Sequence, residues 1–135
     1  MISHMECLPA GSDKNSSCQM VAAATVAKGK ELLQDMKATG VSDVIWFWYP
    51  HRPNGDGTDI NDYTYPMLEA LAKSLSTDTF HVVIIDTVPL FEGHPEYFYT
   101  DGIHANDMGE VKIADAVWKV MKDNCIAQSS GCCMP

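Results

Sequence analysis

Two apolar runs constrain the fold of this chain more than any other feature. Residues 44–49 read VIWFWY and are stopped by Pro50; residues 80–85 read FHVVII and give way to Asp86. The first is continuously β-branched and aromatic, the pattern of a strand buried on both faces. Such a strand needs neighbours along its edges and helices over its faces, because bare backbone donors, bare acceptors and apolar side chains are all costly in water.

The segments around these runs supply the helices. Over residues 18–38 the spacing of Val21, Thr25, Leu32, Leu33 and Met36 predicts an amphipathic helix, capped by Ser16 or Ser17 and ended by Gly40. A polar, glycine-bearing loop, HRPNGDGTDIND, follows the first strand. Tyr65-Pro66 then opens a second helix through Met67, Leu68, Leu71 and Leu75, with Pro66 in the first turn. A last helix begins at Asn106 or Asp107. Asp107 and Glu110 have capping-box spacing, and Val111, Ala114, Trp118 and Met121 form the expected buried stripe. The order helix, strand, helix, strand, helix predicts an α/β fold with parallel strands joined by helical crossovers.

With 135 residues the chain has the size of one domain. Residues 1–17 read as a flexible lead-in or tag, with Ser3-His4-Met5 resembling a cloning scar; residues 18–125 form the α/β part and 126–135 a tail. A net charge of -9, with few and scattered cations, opposes nucleic-acid binding, which needs clustered Lys and Arg. No apolar run approaches the roughly 20 residues of a membrane span. The five cysteines, Cys7, Cys18, Cys125, Cys132 and Cys133, lack paired metal-ligand spacing. They read either as free thiols or as disulfides tying the termini to the body, for instance Cys18 with Cys125. A disulfide would imply a secreted or periplasmic protein.

The chemistry concentrates in YTDGIHANDMGEVKIADAVW, residues 99–118. In open α/β sheets the reactive loops lie beyond the carboxyl ends of the strands, where the segment after residue 85 leads. Gly102 lets the turn fold Asp101 back toward His104. A carboxylate that accepts the Nδ1 proton of an imidazole fixes its tautomer and leaves Nε2 as a general base. His51 with Arg52, just beyond a strand end, and His94, close in sequence to the Asp101–His104 pair, are each read as a loop residue before a substrate contact. Trp46 and Trp48 read as core before a stacking platform.

The block Asp101, His104, Asn106, Gly109, Ile113, Ala114 resembles the last motif of the SGNH (GDSL-type) hydrolases, an Asp-x-x-His turn followed by Asn-x-x-Gly-x-x-x-Ile-Ala. The two apolar runs and the helix between them are similar to the last parts of that fold. The resemblance implies a three-layer α/β/α, flavodoxin-like architecture, here truncated and with few parallel strands. It also implies hydrolysis of a small-molecule ester, acetyl or short acyl, with no cofactor. Asp101 and His104 carry over as the catalytic pair. The family's nucleophilic Ser follows an apolar first strand, and no strand precedes Ser12, Ser16 or Ser17; GTDIND around Asn61 looks like an oxyanion motif but follows the wrong strand. The chain is therefore expected to correspond to the C-terminal part of such a hydrolase. A bare sheet edge then predicts self-association, as a homo-oligomer.

Overall fold

The computed structural model of the protein describes residues 15–54 and 58–127. Four α-helices and two strands run in the order α1 (Asn15–Ala38), β1 (Asp43–Phe47), α2 (Thr58–Leu75), β2 (His81–Ile85), α3 (Val88–Phe91) and α4 (Asp107–Asp123), with a 3-10 turn at Pro95–Tyr97 before α4. The two strands are parallel, in register from Asp43 opposite His81 to Phe47 opposite Ile85. The chain is thus α/β, with α2 as the crossover between the strands. No helix among the described residues is long and apolar enough to cross a membrane.

Strand alternation sorts the apolar residues onto two faces. Val44, Trp46, Trp48, Val82 and Ile84 point into a core shared with Leu33 of α1 and Leu68, Leu71 and Ala72 of α2, beneath the fully buried Phe80. On the opposite face, Phe47 and Tyr49 meet Ile113 and Ala114 of α4 around an open pocket. Beside it, Phe91 and Phe98 are buried with ring centroids 5.1 Å apart.

Besides the expected cap of α1 at Ser16 or Ser17, which fails because the helix already starts at Asn15, four further expectations need correction. First, β1 is not buried on both faces: Phe47 is 43% exposed and Tyr49 53%. Regular pairing ends at Phe47, although Trp48 N–H still donates to Ile85 O at 3.1 Å. Second, α2 begins at Thr58, so Pro66 lies inside it and not in the first turn. A proline there forfeits one helical hydrogen bond. Tertiary contacts offset the loss, since Thr64 is buried, His51 Nε2 pairs with Asp62 Oδ1 at 2.6 Å, and Asn61 Nδ2 donates to the carbonyls of Tyr49 and Pro50 at 3.4 Å each.

Third, the cap of α4 is Asn106, whose side-chain oxygen accepts from the amides of Met108 and Gly109; Asp107 is the first helical residue. Fourth, the expected stripe is turned outward except at Met121, which is half-buried. Val111 and Trp118 are each 57% exposed and Ala114 is exposed, while Gly109 is buried and Ile113, Ala116, Val117 and Val120 are half-buried. Gly109 sets this rotation. A Cβ there would lie 2.4 Å from Tyr97 O and 2.9 Å from Phe91 Cε1, so only glycine lets α4 approach the 3-10 turn so closely. In α1, likewise, Leu32 is exposed whereas Ala22 and Leu33 are buried.

Cys125 is disulfide-bonded. The side chain of Cys18, the partner suggested above, lies outside the described residues, as do Ser12 and the side chains of Ser16 and Ser17.

Candidate active site

The carboxyl ends of both strands are drawn together by Thr87, fully buried, whose hydroxyl donates to Trp48 O. Beyond β2 the chain passes through α3 and the 3-10 turn and then forms a closed loop. Phe98 and Ala105 make an isolated antiparallel bridge, Tyr99 N–H donates to His104 O at 2.9 Å, and Gly102 N–H donates to Tyr99 O at 2.9 Å. Gly102 sits at φ +64°, the left-handed region that glycine enters without penalty, and this lets six residues reverse direction.

Within that loop Asp101 and His104 meet as expected. His104 Nδ1 lies 2.7 Å from Asp101 Oδ2, while Asp101 Oδ1 accepts from the amides of Ile103 at 2.8 Å and His104 at 3.0 Å. One carboxylate therefore takes three donors. The His104 side chain, followed by the two amides, holds Asp101 down from 3.8 to about 2. With Nδ1 donating to Asp101, the neutral ring carries its free lone pair on Nε2.

The sign of this shift gives a testable pH dependence. A lowered carboxyl pKa contributes stability that is fully present above pH 3.8 and is lost as pH falls toward about 2. A carbon-13 titration of the Asp101 carboxyl is expected to show a midpoint near 2. In His104→Ala the midpoint should climb toward 3.8 without reaching it, because the two amide donors remain. An unshifted midpoint in the parent would show that the pair does not form in solution.

Asn106 fastens the loop to α4. Its Nδ2 donates to Glu96 O at 2.7 Å and Phe98 O at 3.0 Å, and its Oδ1 caps the helix. A single side chain thus couples the base of the Asp101–His104 turn to the helix behind it. The Asn-x-x-Gly spacing of the sequence has a structural explanation here: Asn106 caps and clamps, and Gly109 gives the clearance.

His104 lines an open pocket of about 360 Å³ with Phe47, Tyr49 and Pro50 from the exit of β1 and Ile113 and Ala114 from α4. Sequence reasoning missed this wall; the signal was the odd-numbered half of the aromatic run, read as core. His51 stands at the same end of the sheet, half-buried and bound to Asp62, one of three further histidine–carboxylate pairs among the described residues, with His81–Asp43 and His94–Glu96. Asn61 turns its amide nitrogen to the loop after β1. His94 has its Nδ1 on Glu96 at 2.7 Å and its ring stacked on Tyr97.

No described serine side chain reaches this site. Ser42 donates to Asp43 at the amino end of β1, Ser74 to Leu71 O, and Ser76 to Ala72 O while accepting from Val82 N–H. All three lie at the opposite end of the sheet from the pocket. The arrangement can take and return a proton at His104 Nε2. No family model matches the chain, and comparison with characterised proteins and with solved structures finds no match either.

Proposed function

We propose that the chain carries the base half of an SGNH-type serine ester hydrolase. The observation behind this reading is the 2.7 Å Asp101–His104 pair in the lining of an apolar pocket at the carboxyl end of the sheet. In the proposed course a serine hydroxyl attacks the ester carbonyl as its proton moves to His104 Nε2, and the alcohol leaves with that proton. Water then attacks the acyl-enzyme, again losing a proton to His104, and the acid and free serine hydroxyl are released. Asp101 orients the ring and stabilises the imidazolium. The serine would come from residues outside those described or from a companion polypeptide. No cofactor is called for, since protein groups suffice for every step.

Fluorophosphonate labelling of the purified chain, read by intact mass and peptide mapping, tests this reading. One labelled serine that is lost in His104→Ala supports a complete site. Absence of labelling, with the Asp101–His104 pair intact by NMR, overturns hydrolase activity for this chain.

A second reading draws on a different observation. Each strand has one unpaired edge among the described residues, and Phe47, Tyr49, Val111 and Trp118 expose apolar surface. Such a surface suits a self-associating or protein-binding fragment. Sedimentation equilibrium should then give a concentration-dependent mass; a monomer at high concentration would dismiss it.

A further inference from the structure

The pocket at His104 restricts what can occupy it. Its volume of about 360 Å³ falls near the lower end of the roughly 300–1,000 Å³ typical of small-molecule sites. Its apolar walls are Phe47, the Tyr49 ring, Pro50, Ile103, Ala105, Ile113 and Ala114, and its polar side-chain groups are His104, Glu110 and the Tyr49 hydroxyl. Such walls offer few partners for the hydroxyls of a sugar, and a polar group buried without a partner is costly. An acetyl group, with two carbons, would leave most of the space unfilled. The Glu110 carboxylate in the same lining repels anions.

From this geometry we infer that the pocket takes the apolar acyl chain of a neutral ester, longer than acetyl, with its carbonyl at His104. The catalytic part of the inference rests on the hydrolase reading; the ligand class rests on the cavity. Phe47 and Tyr49 reach it because they alternate with Trp46 and Trp48, which face the core between α1 and α2. Ile113 and Ala114 reach it because Gly109 fixes the rotation of α4. Each methylene that enters should be rewarded by loss of hydrated apolar surface, worth about fourfold in affinity.

The test is an NMR titration of the full chain with neutral methyl n-alkyl ketones, from butan-2-one through hexan-2-one to octan-2-one. Affinity is expected to rise about fourfold per methylene until the pocket is filled, with shifts at Ile103, Ala105, Ile113, Ala114 and the His104 ring. Ala114→Trp, at an exposed position on α4, should close the cavity and abolish the chain-length dependence while the Asp101–His104 signals persist. Equal affinity for all the ketones, or an unchanged response in Ala114→Trp, overturns the inference. So does a dimer, seen by sedimentation, that protects the pocket from every ketone. Fluorophosphonate labelling separates the two claims: graded ketone binding without labelling keeps the pocket assignment and removes the hydrolase, whereas labelling without graded binding does the reverse.

Discussion

Replacing His104 with alanine is expected to lower fluorophosphonate labelling and ester turnover by about three orders of magnitude or more, with little change in stability. The expected loss is large because His104 Nε2 is the one proton acceptor proposed for both half-reactions, and a triad without its base retains only binding and oxyanion effects. The stability effect is small because the side chain is two-thirds exposed and its partner is a surface aspartate. Asp101→Asn should also slow the reaction by orders of magnitude, since an amide can donate to Nδ1 and hold the ring in the wrong tautomer. Stopped-flow labelling together with a denaturation curve checks both halves of the expectation. Equal labelling of parent and His104→Ala would remove His104 from the mechanism, and unfolding of the variant would show the turn to be structural.

The largest effect on stability is expected at Phe80. This residue is 1% exposed and fills the space between Leu33 of α1, Leu68, Leu71 and Ala72 of α2, and Val82 of β2. Its backbone also exchanges hydrogen bonds with Thr77 at 2.7 and 3.3 Å, which aligns the entry to β2, and the Lys37 ammonium lies 5.5 Å over its ring. Phe80→Ala should cost about 3–5 kcal/mol from lost burial and the cavity left behind. A domain of this size has only about 5–15 kcal/mol in total, so the variant is expected to unfold at much lower denaturant. Trp118→Ala, which removes a larger but 57% exposed side chain, should change stability by about 0.5 kcal/mol or less. Urea midpoints for the two variants make the comparison, and a larger loss at Trp118 would mean that the outer face of α4 is covered in solution.

The order of the three long helices and two strands was legible because each strand is a dense β-branched or aromatic run and the helices are rich in strong formers, whereas the short α3 and the 3-10 turn were not anticipated. The Asp101–His104 pair was legible because Asp-Gly is a turn with a backbone requirement, and a turn brings residues three apart together. Pro66 looked like a helix opener until the loop after β1 supplied hydrogen bonds to the preceding turn, and Asp107 looked like a cap until Asn106 was seen bonding on both sides of itself. Both outcomes depend on segments distant along the chain or on which of two adjacent polar residues the backbone turns inward.

The sequence by itself determined the α/β alternation, the parallel pairing through a helical crossover, and the histidine–carboxylate turn, because periodicity, turn chemistry and short-range spacing act within a few residues. Only the tertiary structure decided which face of α4 is buried and which face of the aromatic run walls the pocket at His104. Those outcomes follow from the approach of Gly109 to Tyr97 O, the tie between Thr87 and Trp48, and the loop closure at Phe98 and Ala105. Each of these sets a rotation or a register through contacts between separate elements, and an amphipathic pattern with apolar residues on more than one face leaves that choice open.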